Sequence, residues 1–121
     1  MTKVVSLTLG MILLMDSSAI LSAQTSPTDV AINEAVLRQA KTIVLRQKLE
    51  EAKSAAAHGD VPAAAKDYQA ADDLVQQIGS GIDVETAQTI SGLASTWLTL
   101  SQQSQANGNY REAANQINQV L

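Results

Sequence analysis

The chain has 121 residues, 45% of them hydrophobic, 17% charged and 2% aromatic, with no Cys, no Phe and a formal net charge of −4. That length allows one domain, and the missing Cys excludes a thiol nucleophile, a disulfide framework and a thiolate metal site. One His excludes the His clusters of most metal sites. The apolar share is mostly Ala, Leu, Val and Ile, which suits helices meeting at short distance and not a β-sandwich.

Residues 1–23 differ from the remainder. Lys3 gives a short positive start, Val4–Met15 is an apolar run, and Ser17-Ser18-Ala19-Ile20-Leu21-Ser22-Ala23 ends on small residues. This is the layout of a secretory signal peptide, with cleavage expected after Ala23. Asp16 closes the run short of the ~20 apolar residues a membrane anchor needs. A lipid anchor on Cys is excluded. Residues 24–121 are then the mature, exported domain.

Ser26-Pro27-Thr28-Asp29 opens that domain with helix-start signals: a capping Ser, Pro at the first helical position and an acid three residues past the cap. Ile32, Val36, Leu37, Ala40, Ile43, Val44, Leu45, Leu49, Ala52, Ala55 and Ala56 then recur at helical spacing, with no Gly or Pro before Gly59. One helix of about thirty residues is expected, although the apolar stripe changes face near Lys41 and the first half reads as a separate or frayed segment. His58 falls in its last turn, where a donor suits the free carbonyls. Asp60 starts a second helix with Pro62 in its first turn, running through Ala64, Tyr68, Ala71, Leu74, Val75 and Ile78 to the loop Gly79-Ser80-Gly81. Asp83 is expected to cap a third helix whose apolar face is Ala87, Ile90, Leu93, Ala94, Trp97, Leu98 and Leu100, before Asn107-Gly108-Asn109. A fourth helix begins near Tyr110. No capping Gly, basic turn or Pro closes it before Leu121, so a truncated end is expected.

Charge is unevenly placed. Residues 29–58 carry a net of +1 and residues 59–121 a net of −5. No basic patch interleaved with aromatics is present, so nucleic acid is not an expected partner. The adjacent carboxylates Glu50-Glu51 and Asp72-Asp73 point about 100° apart on a helix and do not aim at one substrate atom. No nucleophile–base pair, phosphate loop or metal-ligand spacing occurs, and neither enzymatic activity nor a metal or cofactor is expected. Direct insertion of the mature segment into a membrane is not expected either.

An internal repeat is present. Residues 57–71, Ala-His-Gly-Asp-Val-Pro-Ala-Ala-Ala-Lys-Asp-Tyr-Gln-Ala-Ala, align with residues 106–120, Ala-Asn-Gly-Asn-Tyr-Arg-Glu-Ala-Ala-Asn-Gln-Ile-Asn-Gln-Val. The shared form is Gly-[Asp/Asn]-x3-Ala-Ala-x2-[Tyr/Ile]: a tight turn, then small residues where two helices cross.

These residues resemble the tetratricopeptide repeat. The second copy offers Trp97, Leu100, Gly108, Tyr110, Ala113 and Ile117 at family positions, and the first offers Gly59, Ala64, Tyr68 and Ala71. The resemblance implies an all-α fold of antiparallel helical hairpins, a fragment of a solenoid. Family copies recur every ~34 residues, whereas Gly59 and Gly108 are 49 apart, so the second and third helices should be longer than usual. Lys48 and Glu51 stand where the family has large residues. Family register places a protein-binding groove on Arg46, Leu49, Lys53, Ala56 and Ala57 in the first copy and Ser95, Leu98, Gln102, Gln105 and Ala106 in the second. Arg46 and Lys53 would there favour an acidic or C-terminal carboxylate group. The stretch from Arg38 to Ile82 also resembles the N-terminal periplasmic region of secretin-type outer-membrane channels of type II secretion and type IV pili. That likeness implies periplasmic or outer-membrane-associated localisation, and partners among the subunits of a secretion or pilus assembly. Without that continuation, the same features describe a stand-alone periplasmic repeat protein that binds a peptide or scaffolds an assembly.

Overall fold

The computed structural model describes residues 26–121, which form four helices: α1 (Pro27–Ala57), α2 (Val61–Ile78), α3 (Asp83–Ala106) and α4 (Tyr110–Asn118). No strand occurs among the described residues, and the fold is all-α. The signal-peptide reading concerns residues 1–23, outside the described residues. No helix among them is long and apolar enough to cross a membrane.

Consecutive helices pack on each other, α1 also touches α3, and α4 rests on α3 alone. The starts follow the capping residues. Ser26 accepts from the Asp29 backbone N–H at 3.2 Å and Asp60 from that of Ala63 at 3.1 Å, each satisfying a helix-start donor that has no partner within the helix. Asp83 does not cap α3. Ile82 holds the cap position without a side-chain bond, and Asp83 is the first helical residue, where its charge suits the positive end of the helix dipole. The two turns of the repeat close alike: Gly59 N–H donates to Ala56 and Asp60 N–H to Ala55, as Gly108 N–H donates to Gln105 and Asn109 N–H to Ser104. Both glycines have φ near +80°, a left-handed conformation that costs a side-chain-bearing residue more.

The core lies between α1 and α2 and reaches the start of α3. Leu45, Leu49 and Ala52 meet Ala64, Tyr68, Ala71, Ile78 and Ile82. Ala52, Ala64 and Ala71 are fully covered; their small size lets the helix axes approach closely, and Leu45 and Leu49 contribute about 1.5–3 kcal/mol each by leaving water. Lys48 strengthens the same seam by pairing with Glu51 on its own helix and, at 3.5 Å, with Asp67 on α2. Lys48 and Glu51, which depart from the expected family pattern, thus pair with each other within α1, and Lys48 alone links α1 to α2 through Asp67.

Helix α3 turns inward a face that overlaps the expected apolar one only in part: Leu93, Ala94, Trp97 and Leu100 are half-buried. Ile90 and Leu98 are exposed, Ala87 is exposed, and the buried residues are Thr89, Thr96 and Ser101, with Leu93 partly buried beside the core. The hydroxyls are satisfied locally: Thr89 donates to the Glu85 carbonyl at 2.7 Å and Thr96 to that of Gly92 at 2.8 Å. Each threonine therefore presents its methyl group to the neighbouring helix. Helix α4 is seated by polar contacts, Ser101 Oγ to the Ala113 carbonyl at 3.1 Å and Ser104 Oγ to Gln116 Oε1 at 2.9 Å. Tyr110, placed by the repeat at a packing position, is 69% exposed.

Helix α1 is one continuous helix rather than two segments, but only its second half packs. At ~1.5 Å per residue its 31 residues span about 46 Å, against about 27 Å for the 18 of α2. Residues 27–40 overhang as an arm in which every residue is exposed. Arg38 ties the arm's base to the α2–α3 loop, donating to the Ser80 carbonyl and lying 3.4 Å from its hydroxyl.

Candidate functional site

A cleft of about 470 Å³ opens where α1 and α3 run together, lined by Lys53 of α1, Tyr68 of α2 and Ala87, Gln88, Ser91, Gly92 and Ser95 of α3. The Tyr68 ring fills the space that a Cβ on Gly92 would occupy, so the floor is an aromatic ring set against bare helix backbone. Ala87, Gln88, Ser91 and Ser95 stand exposed along one wall. Small uncharged side chains of this kind let another main chain come close and offer it hydroxyl and amide partners.

The groove residues expected from the repeat register divide four ways. Lys53 and Ser95 line this cleft. Leu49 does not: at 2% exposure it belongs to the core, because the α1 stripe that starts at Leu45 faces α2. Leu98, Gln102 and Gln105 are exposed farther along α3. Of these, Gln105 lines a separate cleft with Ser101, Tyr110, Ala113 and Ile117 against α4. Arg46 is engaged elsewhere, its Nε donating to Glu85 Oε1 at 2.7 Å and linking α1 to α3.

Arg46 holds the Glu85 carboxyl below its ordinary range, helped by a bond from the Glu85 backbone. Lys53 pairs with Glu50 at 2.9 Å, but Glu50 is largely solvated and the Lys53 ammonium remains nearly half exposed. Lys53 can therefore exchange Glu50 for an incoming acidic group, since a solvated surface pair is easily exchanged. Glu51 is also held low, first by Lys48 and then by Gln47. The paired carboxylates Glu50 and Glu51 thus serve different lysines.

The remaining repeat positions are structural. Gly59 and Gly108 make the turns, Ala64, Tyr68, Ala71 and Ala113 are buried, and Leu100 is half-buried. Trp97, also half-buried, lines a separate cleft with Pro62, Ala65, Lys66, Ala70 and Leu100 on the α2–α3 side, and its indole Nε1 has no hydrogen-bond partner among the described residues. His58 is exposed and donates from Nδ1 to the Ser54 carbonyl at 2.6 Å, which occupies it in closing α1. No group of three or more metal-ligating side chains occurs among the described residues. The sequence reading missed Gly92, whose signal was an isolated glycine inside an otherwise regular helix.

No family model, curated protein or solved structure matches the chain.

Proposed function

We propose that the chain is a non-enzymatic, exported protein–protein interaction module that takes an extended acidic peptide segment in the α1–α3 cleft. The observation that carries this reading is the cleft itself: a floor of Tyr68 on Gly92, a wall of small polar side chains, and Lys53 at the edge. A peptide main chain would bond to Gln88, Ser91 and Ser95, and an acidic side chain or terminal carboxylate would displace Glu50 from Lys53. The repeated Gly turn and the crossing alanines support a tetratricopeptide-like hairpin pair as its framework. The likeness of residues 38–82 to the leading region of secretin-type channels suggests that the partner belongs to a secretion or pilus assembly.

The test is a fluorescence-anisotropy titration with an acidic peptide pool of eight residues per chain, carrying free or amidated C-termini. Binding weakened about tenfold by Ser91→Arg, which fills the cleft, and reduced by Lys53→Ala supports the reading. Binding indifferent to both substitutions contradicts it.

A further inference from the structure

The cleft beside Trp97 differs in chemistry from the α1–α3 groove and shares no lining residue with it. It encloses about 420 Å³ between α2 and α3, within the size of small-ligand pockets, and its lining is mostly apolar: Ala65 and Ala70 of α2, Trp97 and Leu100 of α3. Around α3, at ~100° per residue, Trp97 and Leu100 lie roughly opposite Ser91 and Ser95. Two charges mark the α2 edge. Lys66 and Asp73 both line the cleft and both are exposed. They stand two turns apart on one side of α2, about 10 Å along the axis at ~1.5 Å per residue. Neither is in an ion pair among the described residues. Trp97 adds a third signal. Its ring is half-buried, yet its indole N–H is shut off from solvent and has no acceptor among the described residues. A buried donor left so is unfavourable and wants an explanation.

We propose that this cleft takes a short extended peptide segment in which an apolar side chain is flanked by one acid and one base. The acid pairs with Lys66 and the base with Asp73. An extended chain advances ~3.3–3.6 Å per residue, so charges three residues apart span the same ~10 Å as the two on α2. The apolar side chain between them packs on Trp97 and Leu100. A slight turn of the half-buried indole then presents its N–H to a carbonyl of the segment, the acceptor that the fold itself does not supply. Asp73 repels a segment carrying acids alone, and Lys66 repels one carrying bases alone. The selection therefore differs from that of the α1–α3 cleft, whose one lining charge is Lys53.

Trp97 is the single tryptophan of the chain, so its fluorescence and its one indole N–H resonance report this cleft. The probe is acetyl-Asp-Ala-Leu-Lys-amide, whose blocked ends leave only the two side-chain charges. Both signals should change saturably, with a dissociation constant on the order of 1 mM for so small a contact. The Asp-Ala-Leu-Asp and Lys-Ala-Leu-Lys peptides with the same blocked ends should bind several-fold more weakly, an exposed ion pair being worth up to about fivefold. Asp73→Lys should invert the order and make the acid–acid peptide the tightest of the three. Ser91→Arg, which fills the α1–α3 cleft, should change nothing. No response of Trp97 at about 10 mM peptide, ten times the expected constant, overturns the proposal. So does equal binding of the three peptides, an order that Asp73→Lys leaves as it was, or loss of binding in Ser91→Arg. A Trp97 signal that moves with protein concentration alone would overturn it too, in favour of a second copy covering the cleft. Binding of acidic peptides at Lys53 and Ser91 is read separately, so either reading can fail alone.

Discussion

The Tyr68 ring on α2 sits where a side chain on Gly92 of α3 would be, and this one contact sets how near the second hairpin comes to the first. A larger residue at 92 must push the ring from a site where it is 7% exposed. It would also raise the floor of the candidate groove. Gly92 is thus required by packing, although glycine inside a helix is by itself unfavourable.

Gly92→Ala is therefore expected to destabilise. Alanine gains up to about 1 kcal/mol of helix propensity over glycine, but forcing a methyl into an occupied core site typically costs about 1–3 kcal/mol. The overlap is with rigid ring atoms, so the second term should win. Urea unfolding of Gly92→Ala should show a lower midpoint, and Gly92→Ala with Tyr68→Leu should recover part of the loss.

Thr89 is fully buried, yet its hydroxyl serves only the helix that carries it. Thr89→Val keeps the shape and removes a donor whose acceptor, the Glu85 carbonyl, can still accept within the helix. A change of less than about 1 kcal/mol is expected. Thr89→Ala also removes the packed methyl and should cost about 1 kcal/mol more, near one buried methylene. Thermal melts of the pair separate packing from hydrogen bonding on this face.

Stability should fall in acid through Glu85. Its folded-state carboxyl is held below the ordinary value near 4.5, chiefly by the bond from Arg46. The contribution is complete above the unfolded value and is lost as pH falls through the lower, folded one. Lys48 works at the other end. Its ammonium is held above the ordinary 10.5, chiefly by Glu51, so its contribution is present below that value and lost as pH rises through the higher, folded one. Melting midpoints measured between about pH 2 and 6, a window around the ordinary carboxylate values, should drop less in Glu85→Gln than in wild type. Equal slopes would show that the α1–α3 pair is not coupled to folding.

The indole of Trp97 lends packing but no hydrogen bond among the described residues. Trp97→Phe should cost no more than about 1–2 kcal/mol, whereas Trp97→Ala should approach the ~3 kcal/mol at the low end for large aromatics, because the ring is only half-buried. Denaturant midpoints of the two variants check this ordering.

Sequence made the boundaries of this fold legible because they rest on local chemistry. Ser26 and Asp60 cap through their own side chains, and Gly59 and Gly108 adopt the backbone that a helix stop favours. It was right only in part on the inward face of α3, where Leu93, Ala94, Trp97 and Leu100 are half-buried. There hydropathy favours Ile90 and Leu98, whereas the fold buries Thr89 and Thr96, whose hydroxyls disappear into i−4 carbonyls. The change of face near Lys41 was visible, but its cause lay in the mismatch of helix lengths, which leaves the first half of α1 beyond the end of α2. Of the expected groove residues, Lys53 and Ser95 line the α1–α3 cleft and Leu49 lies in the core, since periodicity alone does not say which side of a helix its neighbour occupies. Gly92 stayed hidden because a glycine's role depends on what rests against it.

The most direct test of the interaction-module reading is an amide chemical-shift titration of the protein with the acidic eight-residue peptide pool. The account predicts shifts concentrated on Lys53, Gln88, Ser91, Gly92 and Ser95, with the Trp97 cleft between α2 and α3 left unchanged. Shifts confined to the Trp97 cleft, or none at millimolar peptide, would contradict it.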